Sequence, residues 1–217
     1  MVEYTNAIKK PFSDIKNLLI GGIITIIPFV NLISIGNAIE NGKKSNLETI
    51  KTDGIVNYII NAIMALIISI IYMIIPAIVL MIGGASMIGS MISGGGDATA
   101  LASGLAAGGP IMLIGGLLYI VMAFLLPMAM GKWIKAGNLG ASLKIVDVVK
   151  NALTVDYVVT LIVIMIYSMV LMIVAGIVGG ILAFIPIVGI FITLIIMGCA
   201  GYAMAITSIT LIVETVK

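Results

Sequence analysis

Long apolar blocks alternate along this chain with short polar clusters, and the blocks set its architecture. They fall at 15–40, 55–83, 110–131, 156–178 and 190–213. The last four each reach the roughly 20 residues that carry a helix across a hydrocarbon core. The polar clusters lie at 3–16, 41–54 and 132–153, with a fourth, glycine-rich connection at 84–109. The pattern predicts an all-α, polytopic integral membrane bundle with five to six embedded segments, some of them broken by Pro and Gly.

One motif occurs twice inside this pattern. Gly21-Gly22-Ile23 leads through Ile27-Pro28 to Val30, and Gly179-Gly180-Ile181 leads through Ile185-Pro186 to Val188 in the same register. Proline removes a backbone donor and crowds the preceding turn, so each copy should kink a membrane helix or fold it back. Residues 17–40 thus read either as one kinked crossing or as two short segments making a re-entrant hairpin. The lysines favour the hairpin. They lie at 9, 10 and 16, at 43, 44 and 51, at 132, 135, 144 and 150, and at 217, whereas 84–109 and 179–189 contain none. If 15–40 enters and returns, every lysine stands on one face, as the positive-inside rule prefers, and both termini are expected in the cytoplasm of a multi-pass cell-membrane protein.

The connections carry their own signals. Residues 1–40 read as retained, not as a cleaved signal, with 1–16 an interfacial segment and Ser13 or Asp14 capping the first membrane helix. Ser45-Asn46-Leu47-Glu48 fits a capping box, and Asp53 and Gly54 open the next helix. In 84–109, Ala85, Gly89 and Ser93 recur every four residues, as do Ala100, Gly104 and Gly108. This fits two close-packed helical pieces joined at Gly94-Gly95-Gly96-Asp97, or else a flexible small-residue loop. Trp133 between Lys132 and Lys135 has the look of a membrane interface. Residues 142–153 form an amphipathic surface helix, with Lys144, Asp147, Lys150 and Asn151 as its polar stripe. Gly176 and Gly180 make a GxxxG pair, and Gly198, Gly201, Ala205 and Ser208 share a seam on the last span.

Composition narrows the chemistry. The 217 residues are 62% hydrophobic and 9% charged, with a net charge of +2. All 11 basic residues are lysine, histidine is absent, and Cys199 is the single cysteine. No intrachain disulfide can form, and the usual zinc sets and Ser–His or Cys–His nucleophiles are excluded. Nothing resembles a nucleic-acid footprint. The 9 carboxylates all fall at helix ends or in connections, away from the bilayer centre where a proton relay would need one. No cofactor, metal or catalytic residue is therefore expected. The glycines at 21, 22, 176, 179, 180, 198 and 201, with Pro28 and Pro186, read as helix breaks and packing positions. Asn31, Asn57, Asn61, Tyr167 and Tyr202 are candidates to line a cavity, or else to hydrogen-bond between helices.

Lys10-Pro11-Phe12-Ser13-Asp14, followed by Leu19-Ile20-Gly21-Gly22, Ile27-Pro28, Gly36 and a short loop with Gly42, resembles domain-of-unknown-function family 4013. That family consists of multi-pass membrane proteins common in archaea. The likeness is firmest over 4–76 and looser over 127–217. The family's Leu-Pro-Glu-Trp run is replaced here by Leu47-Glu48-Thr49-Ile50. The resemblance implies a membrane fold and no particular activity, so it assigns no functional residue. The expectation is a non-enzymatic membrane protein whose partners are the bilayer and copies of itself or other membrane subunits. The alternative is a channel or carrier for a neutral or apolar small molecule or lipid, suggested by the two proline-broken segments. A membrane enzyme built on the interfacial carboxylates is the third reading.

Overall fold

A computed structural model describes residues 2–44, 46–182, 184–185 and 187–216. Among these residues all regular structure is helical. Four helices are long and apolar enough to cross a membrane: α4 (Ile55–Ser93), α5 (Ala98–Ala136), α8 (Val155–Leu182) and α9 (Val188–Thr215). Against the five to six embedded segments expected stand these four helices of membrane-crossing length and one shorter apolar helix, Ile15–Ile26. The chain divides into two compact units, one comprising 1–66 and 128–217, the other 67–127.

In the first unit, α1 (Tyr4–Lys9) and a 3-10 turn (Lys10–Ser13) lead to α2 (Ile15–Ile26). Asp14 caps α2 by accepting the Asn17 amide at 3.0 Å. Pro28 decides where α2 stops. The residue before a proline is pushed out of the helical region, and Ile27 is extended at φ −84°, ψ 116°. Phe29 then takes φ 66°, and α3 (Asn31–Gly42) starts in the opposite direction. The Thr25 hydroxyl donates to the Ser34 hydroxyl at 2.9 Å across the pair. The ammonium of Lys10 reaches the Asn41 and Lys44 carbonyls. The two helices therefore fold back on one another as a hairpin. At about 18 Å each, α2 and α3 are too short to cross a hydrocarbon core of roughly 30 Å.

Glycine sets how closely the hairpin docks. A Cβ on Gly22 would stand 2.7 Å from the Cys199 amide nitrogen, and one on Gly198 would stand 2.2 Å from the Gly22 carbonyl oxygen. Here α2 and α9 cross backbone to backbone, which a larger residue would forbid. Gly36 lets α3 meet α4 in the same way, at the Tyr58 carbonyl. The second copy of the motif lies between α8 and α9. Ile187 has φ 62°, matching Phe29 after its own proline. Gly189 touches the Leu182 carbonyl so closely that no side chain fits. Pro186 itself lies outside the described residues.

Two expectations change here. Ser45 lies outside the described residues, but 46–51 are not helical. The Asn41 side chain accepts the Glu48 amide at 2.6 Å and donates to its carbonyl at 3.1 Å, which holds this loop extended. Helical structure resumes only at Thr52. Trp133 is buried at 5% exposure instead of facing the interface, because it lies on the side of α5 turned into this unit. The amphipathic stretch 142–153 comprises the end of α6 (Leu139–Leu143) and all of α7 (Ile145–Ala152).

The second unit holds residues 67–93 of α4 and 98–127 of α5, helices of 39 residues each, so the region 84–109 is helical outside a short turn. Gly95 and Gly96 adopt φ 76° and 77°, values open to glycine at little cost. Asp97 restarts the chain as a helix by accepting the Ala100 amide at 2.7 Å. Gly83, Gly104, Gly108 and Gly115 fill a tight α4–α5 seam; a Cβ on Gly108 would sit 2.3 Å from the Gly83 carbonyl. Gly89 instead faces open space.

Candidate functional site

The most polar part of the first unit is built from buried amides. Asn37 and Asn41, one turn apart on α3, meet Asn17 of α2 and Tyr202 of α9. The Tyr202 hydroxyl donates to the Asn37 oxygen, which also accepts the Asn41 amide at 2.8 Å. The Asn17 amide donates to the Tyr202 hydroxyl at 3.4 Å, and its oxygen accepts the Ile50 amide at 3.0 Å. The network thus fixes loop 46–50 against the hairpin. Polar groups removed from water must find partners, and here they find one another. Among the described residues, the nitrogen of Asn37 is the buried side-chain donor left without one.

Lys10 lies beside this network at 7% exposure. Its three donors are met by the Asn41 carbonyl, the Lys44 carbonyl at 2.5 Å and the Thr210 hydroxyl at 3.3 Å. Burial pulls its pKa below the ordinary lysine range, and the Glu214 carboxylate acts in the other direction. A cavity of about 640 Å³ opens here, with Lys9, Lys10, Lys44, Glu3, Glu214 and Asn46 in its walls. Glu214 is also the acceptor for the Glu3 amide at 2.7 Å, which joins the two ends of the described chain. Lys44 and Glu48 form an exposed ion pair at 2.6 Å. Their hydrogen bond raises the lysine pKa and lowers that of the glutamate. The cavity offers ammonium, carboxylate and carbonyl groups to a polar molecule. Among the described residues no cluster of His, Cys, Asp and Glu is arranged to hold a metal.

The five candidate cavity residues do not converge. Asn31 begins α3, and its carbonyl accepts the Ser34 hydroxyl at 2.8 Å. Asn57 lines a separate 230 Å³ pocket with Glu40 and Tyr58, and Asn61 donates to Glu40 at 2.5 Å. Tyr167 pairs with Thr207 at 3.3 Å, and Tyr202 belongs to the buried network. Asn17, Asn37 and Asn41, and the burial of Lys10 beside them, are absent from the candidates read from the sequence. The four-residue spacing of the two α3 asparagines was the available signal, since it puts both on one helix face.

The glycines sort into two groups. Gly21, Gly22, Gly179 and Gly198 are occupied from within the chain, by Tyr202, Cys199, Thr193 and Gly22 in turn. Gly201 faces Thr25 at 3.9 Å. A Cβ on Gly176 or Gly180 would meet nothing within 4 Å, and both are exposed on α8.

Four membrane-length apolar helices, with a helical hairpin docked on the last of them, define a polytopic helical membrane protein. The chain belongs to the family described as Protein of unknown function (DUF4013), whose model matches residues 19–184. No curated protein and no solved structure matches it.

Proposed function

We propose that this protein is a non-enzymatic assembly subunit of the cell membrane that pairs with a second copy of itself along the Gly176–Gly180 face of α8. The observation that carries this reading is the contrast between the glycines. Those at the internal crossings are filled, whereas this GxxxG pair is exposed and open. Small residues on a lipid-facing helix let a second helix approach closely enough for extensive van der Waals contact. Native mass spectrometry after gentle extraction tests it. The wild type should emerge as a dimer, and Gly176→Ile with Gly180→Ile as a folded monomer. A monomeric wild type would overturn the proposal.

The orientation we infer places the lysine-bearing segments and both termini on the cytoplasmic side. The contacts between Lys10 and Lys44, Glu3 and Glu214, and Lys135 and Val216 support a shared end. In a Cys199→Ala background, Lys9→Cys and Asn46→Cys should both be labelled only after the membrane is opened. Labelling of either from outside intact cells would reverse the assignment.

A further inference from the structure

Outside the hairpin region, the end of α5 and the start of α7 enclose a pocket of about 220 Å³. Its walls bring together Lys132, Lys135 and Lys144 with one carboxylate, Asp147. The Lys135 ammonium donates to the Val216 carbonyl. The ion pairs Lys43–Glu40 and Lys44–Glu48 lie among other residues and neutralise nothing in this pocket. Three ammonium groups around one carboxylate leave a net positive site that suits an anion.

The helix beside it says which anion. On α7, Val148 and Ala152 are buried against the protein, while Ile145 and Val146 are 60% and 68% exposed. Leu143 before the helix and Leu153 after it are also exposed. Apolar residues turned outward beside lysines describe a helix lying in the boundary between headgroups and acyl chains. A soluble anion uses only the lysines. An anionic phospholipid uses both features, its phosphate between the ammonium groups and its chains along the apolar side.

We propose that this pocket seats the phosphate of an anionic phospholipid, with α7 lying in the headgroup layer against its acyl chains. The test uses the full chain in nanodiscs of phosphatidylglycerol and phosphatidylcholine, extracted gently and read by native mass spectrometry for retained lipid. The wild type should retain phosphatidylglycerol in preference to phosphatidylcholine, and added inorganic phosphate at equal concentration should not displace it. A lysine near a membrane surface contributes roughly fivefold to anionic-lipid binding. Lys132→Gln with Lys144→Gln should therefore lower retention by about 25-fold, while Lys135 continues to hold Val216. Lys43→Gln with Lys51→Gln should leave retention unchanged. Asp147→Asn, which removes the pocket's carboxylate, should raise retention several-fold, a gain that misfolding cannot produce. Equal retention of the two lipids, displacement by inorganic phosphate, or no response to the Lys132, Lys144 and Asp147 changes would overturn the proposal.

Discussion

Adding one methyl group at Gly198 should loosen the docking of the hairpin on α9. The new Cβ would lie 2.2 Å from the Gly22 carbonyl oxygen and 3.0 Å from its carbon, against an ordinary contact of at least 3.4 Å. The obstructing atoms belong to the α2 backbone and cannot swing aside, so the helices must part by about 1.2 Å at this crossing. A gap near 1 Å already forfeits roughly a quarter to a half of each dispersion contact along the seam. Overpacking of this kind costs about 1–3 kcal/mol. Replacing a helical glycine by alanine returns up to about 1 kcal/mol. The net expectation is a loss of about 1–2 kcal/mol. Gly116→Ala supplies the control, because nothing lies within 4 Å of its Cβ position on α5. Equilibrium unfolding in mixed micelles, followed through the single buried tryptophan, Trp133, measures both variants. Gly22→Ala with Gly198→Ala should cost less than the two changes added, because the same crossing is opened only once. If Gly198→Ala proves as stable as Gly116→Ala, the backbone-to-backbone crossing is refuted.

Other changes should move the protein in stated directions. Ile187→Gly should stabilise it by about 1 kcal/mol in the same unfolding assay, because a β-branched residue at φ 62° is strained and glycine is not. Asn41→Ala removes both bonds to Glu48 and should cost about 1–3 kcal/mol; limited proteolysis should then cut within 46–51, which stays protected in the wild type. Lys10 binds its proton less tightly folded than unfolded. The unfolded chain therefore holds more protons just below pH 10.5, and the Lys10 contribution to stability should rise with pH through that window. Lys10→Met should abolish that slope in unfolding measured across alkaline pH.

Much of the fold was legible because bilayers restrict the options. Apolar length located the four long helices, and Pro28 located the turn between α2 and α3. The lysine distribution pointed to a returning hairpin, and the Lys10 contacts to Asn41 and Lys44 give the same arrangement. The loop at 46–51 was misread because a capping box is a local signal. Here Asn41, seven residues earlier in the chain, takes the Glu48 backbone groups a helix would have used. Trp133 was misplaced for a related reason, since neighbouring lysines do not reveal which side of α5 is buried. The cavity and the amide network were hidden because they join residues as far apart as Asn17 and Tyr202, whose proximity depends on the Gly22–Gly198 crossing. The same types of glycine occupy filled and open positions, and only packing separates Gly179 from Gly176.

Cysteine cross-linking in native membranes tests the proposed pairing most directly. In a Cys199→Ala background, Gly176→Cys and Gly180→Cys should each give a disulfide-linked species of twice the chain mass under mild oxidation. Val174→Cys, exposed at 53% on a different side of α8, should not. Absence of the linked species at 176 and 180, or equal linking at 174, would contradict pairing of two copies along this face.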